Sequence, residues 1–285
     1  MPNQLEFFFK PATVALIGAS SNPAKLSHGI LKNMLQSGYQ GKIYPVNPGS
    51  NDILGLTCYP DIASLPGQVD LGVVVLPAPR VVEALQACGE KGFKDVIIIS
   101  GGFKEVGPEG AELEKKCVEI AQTYHMRLIG PNCVGTIDFY SGLNTTFVKG
   151  VPDKGSIGLV SQSGAVCGAI VDLICGKGIG ISHLVSLGNE ADVTETDVIE
   201  YLNDVPETHV IACYVEAIRE GQRFIEVCRK VTRNKPIVLL KAGQTNAGAR
   251  AVSSHTGSLA GSFAAYQAAI KQSGVIMVQT AAELI

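Results

Sequence analysis

The sequence contains no tryptophan, and aromatic residues make up only 6% of it, so its cores must be built from Val, Ile, Leu and Ala. It also lacks long apolar runs. The longest, such as 71–78, fall far short of the roughly 20 residues a membrane helix needs. No charge of one sign dominates: the formal balance of −3 gives no basic patch for a nucleic acid and no attraction to a membrane surface. Residues 1–10 carry no basic stretch leading to an apolar segment and a small-residue cleavage site, which argues against a signal peptide. None of the eight cysteines forms a C-x-x-C pair, and several, such as Cys213, sit inside apolar runs. Buried free thiols in a reducing, cytoplasmic setting are expected. The five histidines share no ligand spacing with the cysteines, so no metal site is expected.

What the sequence has is glycine (32 residues) together with many β-branched residues, a mixture that suits buried parallel strands. Its 285 residues suggest about two domains. Apolar runs alternate with helix-like stretches. In the first half, strands are expected at 13–17, 42–46, 71–76, 95–99 and 127–129, with helices at 26–37, 80–91 and 109–124. The second half starts over, with strands at 156–160, 181–186, 209–215 and 236–241 and helices at 165–177, 195–202, 221–231 and 262–273. Such alternation predicts an α/β fold with two doubly wound parallel-sheet domains, 1–148 and 149–285, joined by a linker at 149–154.

Ligands of such sheets sit outside the carboxyl ends of the strands. The first strand runs into Gly18-Ala19-Ser20-Ser21-Asn22-Pro23, a small-residue loop that lets backbone N–H groups and a helix N-terminus reach phosphate oxygens. A plain βα turn has the same composition. A dinucleotide fingerprint would need two more glycines, and an acidic residue where Val46-Asn47-Pro48 stands. NAD is therefore disfavoured. Three further post-strand loops, Leu76 to Pro79, Ser100 to Phe103 and Gly130 to Cys133, are expected at the same sheet edge.

The stretches VALIGAS, YPVNP, VVVLPAP, IIISGGF and IGPNCVG resemble the CoA-binding domain of NDP-forming acyl-CoA synthetases, in the succinyl-CoA synthetase superfamily. The resemblance implies a Rossmann-like CoA-binding domain. It places Gly18, Ser20 and Lys25 near the CoA phosphates and Asn47, Pro48, Pro77 and Ala78 along the adenine and pantetheine path. Ser100, Gly101, Asn132 and Cys133 fall toward the thiol end, where Cys133 is read as a small packing residue.

In the second half, Ser161-Gln162-Ser163-Gly164 follows a buried strand and opens a helix. Hydroxyls and free N–H groups at a helix N-terminus make an anion site. Ser163 can equally serve as an N-cap, and the two roles are compatible. Glu216 ends the run VIACYV at a strand's carboxyl end, where it is either a ligand-facing carboxylate or a surface Glu. His255 lies in SSHTGSLAG, flanked by small hydroxyl residues with glycines beyond. Imidazole, largely neutral near pH 7, suits phosphoryl transfer if an acceptor fixes its second nitrogen. His28, His125, His183 and His209 have no comparable setting and are read as structural or exposed.

SQSG, SLGNEADV, YVE and SSHTGSLAG look like the flavodoxin-like ligase domain of the same family. The resemblance implies that His255 is phosphorylated by an acyl phosphate, that Glu216 positions it, and that Ser161, Ser163 and Gly164 hold the phosphate. Asn189 and Asp192 are read as local structure beside the site. The implied reaction interconverts acyl-CoA, phosphate and ADP with an acid, CoA and ATP. ADP/ATP and Mg²⁺ would bind an ATP-grasp domain or β subunit, of which nothing here is a likeness, within an oligomer. The sequence stops where a helix reads as just beginning, so a truncated chain or a subunit needing a partner is expected. The alternative is a CoA- or acyl-CoA-binding regulatory region of an acetyltransferase fusion. In such regions the catalytic His is typically replaced, so His255 favours the enzyme.

Overall fold

The computed structural model of the chain describes residues 5–243 and 263–285, which divide into two compact units. The first comprises Met1–Val148 and Gly188–Val193, the second Lys149–Leu187 and Thr194–Ile285.

The first unit contains β1 (Thr13–Ile17), α1 (Leu26–Gln36), β2 (Lys42–Val46), the small hairpin β3 (Asp52–Ile53) and β4 (Leu56–Thr57), and β5 (Leu71–Val74). It continues with α2 (Ala78–Lys91), β6 (Asp95–Ile98), α3 (Pro108–Tyr124), β7 (Arg127–Ile129), and the antiparallel pair β8 (Gly135–Asp138) and β9 (Leu143–Asn144). Its main sheet is parallel in the order β2-β1-β5-β6-β7. The order reverses between β1 and β5: the chain first moves outward to β2, then returns past β1 to β5. Crossovers of the usual right hand on each side of such a point put helices on opposite faces and leave a crevice between the two strand ends.

β5 and β6 are buried along their whole length, which explains why they read as continuous apolar runs. Val81, Ala84, Leu85 and Cys88 of α2 pack into the same core. The helix stops at Gly92, whose φ of +86° is a left-handed cap that glycine adopts freely.

The second unit contains β10 (Asp153–Ser161), α4 (Gly164–Lys177), β11 (Gly180–Ser186), α5 (Glu195–Asn203), β12 (Val210–Val215), α6 (Gly221–Val231) and β13 (Ile237–Lys241). The helix Phe263–Gln272, β14 (Ile276–Val278) and the short helix Ala281–Leu284 follow. The strands of this unit run parallel in the order β14-β13-β12-β10-β11, with the reversal between β10 and β12. α5 starts on a full capping box, Thr194 with Asp197.

Two expectations from the sequence are corrected. The linker 149–154 is shorter than expected, because Asp153 and Lys154 already pair with β11. The second half is also not one uninterrupted unit, since Gly188–Val193 belongs to the first. The two-residue strands β3, β4 and β9 escaped the sequence reading because no periodicity fits in two residues. Of the eight cysteines, all but the exposed Cys175 are buried, and all are free.

Asp95 opens β6 at 3% exposure, and burial pushes its carboxyl up to about 7, against the partial relief of the Arg127 N–H and guanidinium. Its Oδ2 has no hydrogen-bond partner, while Oδ1 accepts from Arg127 N at 3.3 Å. A raised carboxylate value means that the folded state binds the proton more tightly than the unfolded one. Stability is therefore lost as pH rises from the ordinary Asp range to about 7. Asp95→Asn keeps the Oδ1 acceptor and removes the charge. Thermal denaturation should show a higher Tm than wild type at pH 8, with the difference vanishing below about pH 4.

Candidate functional site

In the first unit, a cleft of about 710 Å³ opens where the strand order reverses. Gly18, Ser20, Lys25, Asn47 and Pro48 all line it. Gly18 is there because nothing else fits: its φ is +89°, and a Cβ would stand 2.3 Å from the carbonyl oxygen of Val75. The N–H groups of Gly18 and Ala19 both donate to Val46 O, at 3.0 and 3.2 Å, which folds the loop across the end of β2. Asn47 Nδ2 donates to Ala19 O at 2.6 Å, and its Oδ1 accepts from Gly49 N at 2.7 Å. The Asn47 side chain thus ties two post-strand loops together where a dinucleotide site would place a carboxylate.

Lys25 is the N-cap residue of α1, and it lines the cleft together with Leu26 and Ser27, so the helix N-terminus borders the cleft. Arg80, in the first turn of α2, adds a guanidinium to the lining. The sequence reading missed Arg80; the signal was a basic residue one turn into a helix that follows a post-strand loop. Two carboxylates, Asp61 and Glu83, also line the cleft, and Asp61 Oδ1 accepts from Ser64 N at 2.8 Å.

Pro77, Ala78, Ser100, Gly101, Asn132 and Cys133 do not line this cleft but follow the neighbouring strands β5, β6 and β7. They form a ledge stitched by hydrogen bonds. Ser100 Oγ accepts from Leu76 N at 3.0 Å, and Asn132 N donates to Ser100 O at 2.8 Å. Leu76 itself lines the cleft, so ledge and cleft are continuous. Cys133 is buried and its thiol donates to Ile98 O at 3.3 Å.

Asn189 and Asp192 fall in the first unit, although they come from the second half of the sequence. Asn189 Nδ2 donates to Glu105 Oε2 at 2.6 Å and to Glu114 Oε2 at 2.8 Å. Lys104 pairs with Glu114 at 3.3 Å. Asp192 accepts from Arg127 Nε at 2.9 Å and from Leu128 N at 2.8 Å. The GNEADV segment is thus pinned by carboxylates and a guanidinium near β7.

In the second unit, β10 and β12 end side by side at the reversal point, the crevice position of such sheets. Ser161 is the last residue of β10 and is fully buried; its Oγ donates to Ser163 O at 2.8 Å. Ser163 caps α4 by accepting from Val166 N at 3.3 Å. Glu216 follows β12 directly and is 8% exposed, which rules out the surface reading.

Gln162, equally buried, braces it. Its Oε1 accepts the N–H groups of Glu216 and Ala217, the latter at 3.0 Å. Its Nε2 donates to Ala217 O at 2.8 Å and to Glu195 Oε2 at 3.3 Å. A buried amide with both ends satisfied in this way fixes the backbone of its neighbours. Burial and then the charge of Glu216 raise the phenol of Tyr214 on the same strand. Among the histidines, His183 is fully buried near Thr208, His28 Nδ1 lies 3.1 Å from Ser20 O, and His125 and His209 are exposed. His255 lies outside the described residues. No group of three or more potential metal ligands exists among the described residues.

A family model described as a CoA binding domain matches residues 12–138, and one described as a succinyl-CoA ligase like flavodoxin domain matches residues 154–285. Fold and loops together therefore define a CoA-binding, succinyl-CoA-ligase-like α/β chain. The α subunit of ADP-forming acetate–CoA ligase II from Pyrococcus furiosus is 48% identical over 99% of this chain and 61% of its own length. The ADP-forming 4-hydroxybutyrate–CoA ligase of Nitrosopumilus maritimus is 42% identical over 96% of this chain and 40% of its own length. The "dinucleotide forming" acetyl-coenzyme A synthetase 1 of Ca. Korarchaeum cryptofilum, solved with phosphate and ADP, superposes with a TM-score of 0.95. It is 42% identical and matches over 98% of this chain and 60% of that one. The chain belongs to the nucleoside-diphosphate-forming acyl-CoA synthetase family, and it spans between two fifths and three fifths of the length of these relatives.

Proposed function

We propose that this chain is the α-type part of an ADP-forming acyl-CoA ligase, an acid–thiol ligase that interconverts acyl-CoA, phosphate and ADP with acid, CoA and ATP. Phosphate attacks the thioester carbonyl and CoA leaves as the thiol, giving an acyl phosphate. A ring nitrogen of His255 then attacks phosphorus, the P–O bond to the acyl group breaks, and the carboxylate leaves. The phosphoryl group passes to ADP on an ATP-grasp domain or β subunit that supplies Mg²⁺. The observation that carries this reading is the buried Glu216 beside the Ser161–Gly164 helix N-terminus at the switch point. That juxtaposition offers N–H donors to a phosphate and a carboxylate to the far nitrogen of an imidazole. The named relatives are ligases, which does not favour the regulatory alternative.

CoA fits the first unit by chemistry: its phosphates match the α1 N-terminus, Lys25 and Arg80, and the apolar wall of Ile17, Val46, Ile62 and Leu76 suits the rest. The cleft volume is within the ~300–1,000 Å³ usual for small-molecule sites. NAD finds Asn47 where its ribose would need a carboxylate. Calorimetry on the chain should show saturable CoA binding and none for NAD. Lys25→Ala and Arg80→Ala should each raise the CoA Kd about tenfold or more, the loss expected for one charge-assisted contact. Saturable NAD binding without CoA binding would overturn the reading.

A further inference from the structure

Lys241 ends β13 and is 5% exposed. An ammonium in such a place is unfavourable unless its protons find acceptors. Lys241 Nζ donates to Glu216 O at 2.7 Å and to Ala242 O at 2.6 Å, and it stands 4.5 Å from the centroid of the Tyr266 ring. The position over the ring suits a cation, whose charge the ring face attracts. The register of β13 on β12 places Lys241 opposite Val215, the residue before Glu216. Gln162 reaches the Glu216 N–H from the β10 side, so the Glu216 backbone is gripped on both flanks.

We infer that Lys241 is a positioning residue for phosphoryl transfer: together with Gln162 it clamps the Glu216 backbone, and it sets a fixed positive charge beside the Glu216 carboxylate. The inference rests on the phosphoryl-transfer reading of Glu216. Ordinary strand-end packing needs no ammonium here; Met would fill the space over Tyr266 without the desolvation cost. Burial lowers the Lys241 ammonium from its usual range, and the Glu216 charge works against that shift. Tyr214 on β12 is coupled to Glu216, and Glu195 of α5 is joined to the same point through Gln162. Arg219 follows three positions after Glu216. Removing the cation takes away a positive charge coupled to Glu216, which disfavours ionisation of its carboxyl. The acid limb of phosphoryl transfer then moves to higher pH.

The test uses the full chain with acetyl-CoA, labelled phosphate and no nucleotide. The rate of phosphohistidine formation is followed against pH for wild type and for Lys241→Met, Lys241→Gln and Lys241→Arg. The Met and Gln variants should be slowed about 10²-fold, the scale of a misplaced reacting group, with the acid limb raised by about one pH unit or more. Lys241→Arg should keep the wild-type limb, and the CoA Kd should stay the same in all four proteins. Loss of foldedness alone would lower the amplitude and leave the limb where it was. Titration of the Glu carboxyl carbons by NMR on the same chains is independent of turnover and should show one carboxyl moving up in the Met and Gln variants. Wild-type limbs and an unmoved carboxyl in both variants would overturn the inference. A wild-type chain that takes no label sinks the phosphoryl-transfer reading instead, and the carboxyl titration still decides the role of Lys241.

Discussion

His255→Ala is expected to abolish phosphoprotein formation and overall acyl-CoA-dependent ATP synthesis in the assembled enzyme. The expectation comes from elimination as much as from the motif. A replacement nucleophile would have to stand at the carboxyl edge of the second sheet. His183 lies within β11 and is fully buried, and His28 belongs to α1 of the first unit. His125 closes α3 in a left-handed conformation and His209 precedes β12, both exposed. None of these can take over. Loss of a nucleophile that works with a partner group costs orders of magnitude, and here no second route remains. In the proposed sequence of steps phosphorolysis of the thioester precedes the histidine, so CoA release from acyl-CoA with phosphate should persist. Phosphopeptide mapping after incubation with acyl-CoA and labelled phosphate is the direct measurement. Label on Ser253, Ser254 or another histidine, with wild-type turnover in the variant, would overturn the mechanism.

Glu216→Gln should slow phosphohistidine formation by roughly 10²–10⁴-fold, the range of a positioned acid–base group, while CoA binding is unchanged. The substitution preserves shape, and the backbone contacts of Gln162 and Lys241 do not depend on the carboxylate. Only the charge is lost. In the proposed mechanism that charge would fix the imidazole tautomer and support the positive charge that develops as nitrogen bonds to phosphorus. A rapid-quench time course with labelled phosphate separates this step from acyl phosphate formation. A Gln variant with wild-type phosphorylation kinetics would show that Glu216 serves only the strand end.

The loops of the candidate site were legible because post-strand loops in parallel sheets are local in sequence. A buried strand, a small-residue loop and a helix start lie within about ten residues, as in VALIGAS and VSQSG, and each marks itself by composition. Gly18 could be picked out because a tight βα turn needs it. The braces were not legible. Gln162 sat inside a recognised motif yet was passed over between two serines, since nothing in a sequence says that an amide reaches 54 positions ahead to Glu216. Lys241 and Arg80 figured only as the end of an expected strand and the start of an expected helix.

The sequence by itself determined the alternation of strands and helices, the parallel sheets, the edge on which the loops gather and the family to which the chain belongs. It did so because burial period, turn composition and strand-end loops are all written in neighbouring residues. Only the tertiary structure decided that Glu216 is buried and that Asn47 bridges two loops. It also decided that Gly188–Val193 belongs with the first unit, where Asn189 meets Glu105 and Glu114, and Asp192 meets Arg127. These contacts join residues from dozens to more than eighty positions apart. Their partners are chosen by strand order and by the need of buried polar groups for one another, which no local pattern encodes.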